Sequence, residues 1–193
     1  MERKRLNVAS WLTVSRLFLM PPAILPVSLG WGNGWLVSAA ITVVAGLTDI
    51  FDGFLARRME RISSLGINLD LLSDKVFVGA MLVFLAWQDI IPAWMPAVVI
   101  AREVAVSLVR LVRFRGQPPA SDAWGKAKTA VSFVAIVWVL LWGDRQTVGY
   151  LAGVGVPSLL SSALALAPWV MALAVALTVV SGANYLVRYC RRG

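Results

Sequence analysis

Residues 17–48 contain no charged side chain, a run longer than the roughly 20 apolar residues that cross a bilayer. A turn-rich break, Leu29-Gly-Trp-Gly-Asn-Gly34, divides the run, so it predicts parts of two helices rather than one. The rest of the chain repeats the pattern: apolar segments separated by short clusters of Lys and Arg. Hydrophobic residues make up 59% of the 193 and charged residues 15%, with a mean hydropathy of +0.77. Soluble domains carry about 25% charge. There is too little polar surface here to cover a core in water, which excludes an ordinary soluble enzyme and a disordered chain. The expectation is an all-α integral membrane protein: one membrane-embedded domain over 1–193 with six transmembrane helices.

The expected helices cover about 8–29, 35–57, 69–87, 91–112, 123–142 and 164–189. The distribution of basic residues orients them. Arg3, Lys4 and Arg5 precede the first helix; Arg57, Arg58 and Arg61 follow the second. Arg110, Arg113, Arg115, Lys126 and Lys128 surround the fourth connection, and Arg188, Arg191 and Arg192 follow the last helix. The opposite connections hold only Arg145 among the basic residues. Both termini are therefore expected in the cytoplasm of a multi-pass protein of the cell membrane. Residues 1–7 read as a short cytoplasmic or interfacial segment, with no cleavable signal. The uncharged stretch 146–187 could hide a further span, but a seventh would carry the final basic cluster outside. Its Gly, Pro and Ser residues from Gly149 to Ser162 suggest an outer loop or a short interfacial helix. The net charge of +8 follows from these membrane-flanking anchors and does not call for nucleic acid.

The chain has no His and one Cys, Cys190, so His-based catalysis and a Cys-held zinc site are excluded. Any metal must be held by oxygen, which favours Mg²⁺ or Mn²⁺. Of the ten acidic residues, Glu2, Glu60, Asp89, Glu103, Asp122 and Asp144 lie at ends, in loops or beside an Arg. The remaining four, Asp49, Asp52, Asp70 and Asp74, fall within expected spans, where a carboxylate is costly and marks a functional position. Asp49 and Asp52 are three apart and share one helix face; Asp70 and Asp74 are four apart and share another. The short basic connection makes the two helices antiparallel neighbours, so four carboxylates can converge near the cytoplasmic end of the bundle. Four negative charges at close range repel strongly, and two divalent cations would neutralise them. Such a pair of ions is a recurrent device of phosphoryl chemistry. Gly53 and Gly66 offer close backbone approach to a ligand, Ala56 is small, and Arg57 supplies a forked donor for phosphate.

The string Asp49-Ile-Phe-Asp52-Gly53-Phe-Leu-Ala56-Arg57, then Gly66, Asp70 and Asp74, resembles the signature of the CDP-alcohol phosphotransferase family at all eight fixed positions over 26 residues. The resemblance implies a six-helical, usually dimeric membrane enzyme that transfers a phosphatidyl or phosphoalcohol group from a CDP-linked donor and releases CMP. It implies that Asp49, Asp52 and Asp70 bind one metal, and that Asp49, Asp70 and Asp74 surround the second. Asp74 also becomes the base for the acceptor hydroxyl. Gly53, Ala56, Arg57 and Gly66, with Thr48 beside them, would line the CDP site.

Three further segments, Asn7-Val-Ala-Ser-Trp-Leu-Thr13-Val-Ser-Arg16, Ala101-Arg102-Glu103-Val104 with Arg110, and Gly125-Lys126-Ala-Lys128-Thr129, resemble phosphatidylglycerophosphate synthases. The chain departs from them at Ser10, Leu71 and Ala101, none of them a charged position. The expected substrates are then CDP-diacylglycerol, its tails entering sideways from the membrane lipids, and glycerol 3-phosphate. The acceptor dianion needs its own cations, and Arg102, Arg110, Lys126 and Lys128 lie at the right depth to supply them. Structural alternatives exist: Arg102 and Glu103 can pair with each other, and Lys126 and Lys128 can simply anchor the helix. Two other functions compete. The same chemistry could use phosphatidylglycerol or an inositol phosphate, as in cardiolipin or phosphatidylinositol phosphate synthesis. A divalent-cation transporter would need acidic groups along a whole path, and the outer halves of the helices carry almost none.

Overall fold

The computed structural model describes the backbone of residues 8–58, 64–114, 123–143 and 158–190, and the side chains of 17–48, 75–109, 130–143 and 162–187, together with the turns between them. Among the described residues the protein is all helix. Six long helices are α1 (Val8–Ser28), α2 (Gly34–Arg58), α3 (Ser64–Trp87), α4 (Trp94–Phe114), α5 (Ala123–Gly143) and α7 (Ala167–Cys190); a short α6 (Ser158–Ala165) precedes the last. The long helices stand within about three residues of expectation, except that α3 begins at Ser64, five residues earlier. Part of the 149–162 stretch is helical, as α6. Residues 1–7 and the remainder of that stretch lie outside the described residues.

Among the described residues, one segment is both long and apolar enough to cross a membrane alone, Ala167–Val187 of α7. The uninterrupted apolar parts of the others are shorter: Leu17–Ser28, Gly34–Thr48, Lys75–Trp87 and Ala130–Gly143.

The helix ends are set by local chemistry. At the end of α1 the backbone turns left-handed at Gly30, φ 67°. Gly30 N–H then donates to Val27 O and Trp31 N–H to Pro26 O, both at 3.0 Å, the paired bonds of a Schellman stop. Pro26 leaves the ladder short of a donor one turn earlier, so this stop ends a helix already weakened by Pro21 and Pro22. The end of α3 uses the same device with Asp89 at φ 55°: Asp89 N–H donates to Ala86 O at 3.1 Å and Ile90 N–H to Leu85 O at 3.0 Å. Aspartate is among the few non-glycine residues that tolerate this conformation.

The core runs up the middle of the bundle. Phe77, Met81 and Leu85 of α3 are fully buried at four-residue spacing. They meet Ile136, Val139 and Leu140 of α5 and Met171, Ala174 and Val175 of α7 in one cluster. Phe77 and Phe133 stack at 5.7 Å between ring centres. The buried face of α2 is made of small residues, Ser38, Ala39, Thr42 and Ala45, which let neighbouring backbones come close. Thr42 donates its hydroxyl to Ser38 O at 2.8 Å, whereas the buried Ser38 hydroxyl has no partner among the described residues. α2 and α3 each pack on α1 and on α5, and α7 packs on α4, α5 and α6. Trp138 Nε1 donates to Ala163 O at 3.1 Å and ties α6 to α5.

Large apolar side chains also cover the outside, among them Phe18, Val44, Val83, Val104, Val134 and Leu173. The exposed tryptophans Trp31, Trp87, Trp94 and Trp169 all belong to the end of the bundle that holds the α1–α2 and α3–α4 turns and the start of α7. Indole rings gather in this way at a membrane–water boundary.

Close helix contact sets a testable limit. A Cβ on Gly34 would stand 2.5 Å from Pro26 O, a backbone atom that cannot swing aside, whereas one on Gly79 would meet only Ile100 Cγ1 at 3.8 Å. Gly34→Ala should therefore destabilise the bundle by about 1–3 kcal/mol. Gly79→Ala should be neutral or stabilising by up to about 1 kcal/mol. Thermal unfolding of the two variants in detergent checks the contrast.

Candidate active site

The four aspartates stand on α2 and α3, the two helices that residues 59–63 connect in sequence. Asp49 and Asp52 lie in the second half of α2, and Asp70 and Asp74 in the first half of α3. At 1.5 Å rise per residue, Asp52 is about 9 Å along its helix from Arg58, and Asp70 about 9 Å from Ser64. Asp49 lies about 14 Å, and Asp74 about 15 Å, from the same helix ends. Along their own helices the four positions fall at two similar distances from the ends that the 59–63 connection joins, Asp52 with Asp70 and Asp49 with Asp74. Gly53, Ala56 and Arg57 continue α2 toward the connection, and Gly66 opens α3. The side chains of Asp49, Asp52, Ala56, Arg57, Asp70 and Asp74 lie outside the described residues; their positions here are those of the backbone. Thr48 is described: its Oγ1 donates to Val44 O at 2.8 Å, so its proton is committed to α2 while its oxygen can still accept.

Arg110 lies near the end of α4, and Lys126 and Lys128 near the start of α5, on either side of the 115–122 connection. Their side chains are outside the described residues. Their helix positions put them at the same end of the bundle as the aspartates and closer to that end, within about 8 Å of the helix termini.

Arg102 is described, and it is engaged. Its Nη1 donates to Glu103 Oε1 at 2.5 Å and its Nη2 reaches Ser181 Oγ at 3.4 Å. The structural pairing of Arg102 with Glu103 is thus formed, and the guanidinium is turned toward α7. Lys75, a residue to which the sequence drew no attention, lies 3.4 Å from Glu103 Oε2 and donates to Ser107 Oγ at 2.8 Å. Its signal was available, since it is a cation at the mouth of an apolar run and directly follows Asp74. What could not be read was its partner, which comes from another helix.

The small buried space among α3, α4, α5 and α7, lined by Leu82, Val99, Ser132, Met171 and Thr178, is nearly all apolar and lies away from the aspartates. It is a packing gap rather than a substrate site.

Comparison with known proteins agrees with the motif. The family model for CDP-alcohol phosphatidyltransferase matches residues 6–180. A CDP-diacylglycerol–glycerol-3-phosphate 3-phosphatidyltransferase of Sodalis glossinidius (strain morsitans) is 35% identical over 168 residues, covering 83% of this chain and 88% of its own. A probable phosphatidylglycerophosphate synthase of Mycobacterium tuberculosis (strain CDC 1551 / Oshkosh) is 35% identical over 190 residues, covering 96% and 82%. A CDP-diacylglycerol–glycerol-3-phosphate 3-phosphatidyltransferase of Bacillus subtilis (strain 168) is 34% identical over 148 residues, covering 70% and 77%. With the aspartate motif intact and the family match spanning nearly the whole chain, this protein belongs to the CDP-alcohol phosphatidyltransferase family, a family of membrane enzymes, and is a transferase of that class.

Proposed function

We propose that the enzyme transfers the phosphatidyl group of CDP-diacylglycerol to glycerol 3-phosphate, giving phosphatidylglycerophosphate and CMP. The observation that carries this choice of acceptor is the likeness, at about 35% identity over most of both chains, to relatives named for that reaction. The six long helices cross the membrane with both termini and the aspartates on the cytoplasmic side. The basic helix ends and the exposed tryptophans at the opposite end support this orientation.

The acceptor hydroxyl attacks the phosphorus nearer the diacylglycerol. A new P–O bond forms, the P–O bond to CMP breaks, and the hydroxyl proton passes to the Asp74 carboxylate. Asp49, Asp52, Asp70 and Asp74 form an all-oxygen donor set of charge −4, which fits two Mg²⁺ or Mn²⁺ ions and suits no softer metal. When bound, such ions supply charge neutralisation for the pyrophosphate and its transition state. Asp49, Asp52 and Asp70 would hold the first ion, and Asp49, Asp70 and Asp74 the second. Gly53 and Gly66 let the nucleotide approach the backbone, Ala56 leaves it room, Arg57 pairs with phosphate, and Thr48 offers its oxygen. Arg110, Lys126 and Lys128 receive the acceptor phosphate. Arg102, already engaged by Glu103 and Ser181, contributes to that end of the bundle by holding α4 to α7. The lipid tails stay in the bilayer, and the protein works as a homodimer.

Purified enzyme with CDP-diacylglycerol and Mg²⁺ tests the acceptor. CMP should appear with glycerol 3-phosphate and stay near background with phosphatidylglycerol or inositol phosphate. Release with one of the other acceptors would keep the aspartate roles and overturn the assignment of the substrate.

A further inference from the structure

The polar side chains Lys75, Arg102, Glu103, Ser107 and Ser181 join three helices, and the phosphatidyl transfer described above does not use them. Glu103 of α4 lies between two cations: Arg102 on its own helix at 2.5 Å and Lys75 of α3 at 3.4 Å. Ser107, one turn further along α4, accepts from Lys75 at 2.8 Å, so the ammonium is held from two points on the same face. On the other side, Arg102 reaches Ser181 of α7, and Gly182 makes room for it. A Cβ at Gly182 would stand 2.7 Å from both Cγ and Nε of Arg102. Lys75 is about 17 Å along α3 from Ser64, and Glu103 about 17 Å along α4 from Phe114. The tie therefore lies level with Asp74 and not at the bundle's rim.

We propose that Glu103 is a positioning residue for phosphatidyl transfer, acting through Lys75 to fix the rotation of α3 about its axis and so the place of Asp74. The proposal rests on the assignment of Asp74 to the active site. Lys75 follows Asp74 directly, so whatever sets the angle of one sets the other, offset by roughly 100° around the helix. The buried row Phe77, Met81 and Leu85 decides which face of α3 turns inward, but lipid wets an apolar helix on its other faces, so a rotation of some degrees exposes nothing to water. An ion pair with a second anchor at Ser107 defines the angle sharply. A turn of α3 by about 20° would carry a carboxylate at its surface through roughly 2 Å. A misplacement of about 1 Å at a reacting group can cost about 10²-fold in rate.

The test uses the full-length enzyme in detergent micelles containing CDP-diacylglycerol. Glu103→Gln should lower kcat by about 30- to 100-fold, with KM for CDP-diacylglycerol changed less than threefold. Free Mn²⁺ measured by electron paramagnetic resonance, without turnover, should show one of two Mn²⁺ ions per chain bound at least about tenfold more weakly, because Asp74 belongs to one site. Lys75→Met should reproduce both effects, Lys75→Arg should recover most of what Lys75→Met loses, and the double variant should be no worse than the poorer single one. If Glu103→Gln does not fold, the Lys75→Met and Lys75→Arg pair decides the matter alone. Folded Glu103→Gln or Lys75→Met with kcat within threefold of the parent and both Mn²⁺ sites intact overturns the proposal. So do single losses that multiply in the double variant, or Lys75→Arg as impaired as Lys75→Met. Asp74→Asn, assayed in parallel, separates the two levels. Full activity in Asp74→Asn overturns the site itself; loss there with none in Glu103→Gln overturns only the role of Glu103.

Discussion

Asp74→Asn is expected to lower CMP release by about 10³-fold while leaving CDP-diacylglycerol binding within a few-fold of the parent. General-base catalysis contributes about 10²–10⁴-fold, and an amide cannot take the acceptor proton. The same change also removes one charged ligand from the second ion, which places the expected loss in the upper part of that range. Asp52→Asn is the contrast. Asp52 belongs only to the first ion in the proposed arrangement, so its loss should weaken donor binding and turnover together. The measurement is steady-state CMP release paired with CDP-diacylglycerol binding for each variant. Asp74→Asn with near-parental turnover would remove the base assignment. Equal losses of binding and turnover in both variants would mean that Asp74 is a ligand only.

The second large effect is metal dependence. In the proposed site four carboxylates face one another where α2 and α3 are joined, and they would repel strongly unless cations offset them. Chelation with EDTA should take CMP release to background and weaken CDP-diacylglycerol binding. Added Mg²⁺ or Mn²⁺ should restore activity to within about twofold. The loss should be reversible, because the apolar core of Phe77, Met81, Leu85, Ile136 and Met171 does not depend on the ions. Thermal unfolding before and after chelation checks this. Activity that survives exhaustive chelation would exclude the metal-assisted mechanism.

The helices were legible because each signal acts over a few residues. Uncharged runs, the Gly-rich break at 29–34 and the basic clusters located the long helices to within a turn in most cases. α3 starts at Ser64, five residues ahead of the expected 69, because the helix continues through Ser64, Gly66 and Asn68 toward the connection. Asp89 was assigned to a loop end, which is where it lies, but its role as a left-handed helix stop emerges only from its φ of 55°.

The aspartate motif was legible for a related reason. Its three- and four-residue spacings lie within single helices, and the connection between them is short, so sequence separation nearly determines the relative depth of the four positions. Family membership followed from the same residues.

Arg102 shows where that legibility ends. Sequence placed it at the right depth and left open whether it would meet a substrate phosphate or Glu103. Its neighbours Ser181 and Gly182 are 79 and 80 residues away in the chain and on another helix. The tie from Lys75 to Glu103 and Ser107 is of the same kind. Helices that are apolar nearly all round carry no stripe to say which face turns inward, and lipid wets the other faces as readily as protein does. The sequence by itself therefore determined the all-helical class, the helix positions and the level at which the aspartates stand. Only the tertiary structure decided the rotation of each helix about its axis, because that depends on long-range pairings such as Lys75 with Glu103, which no local pattern encodes.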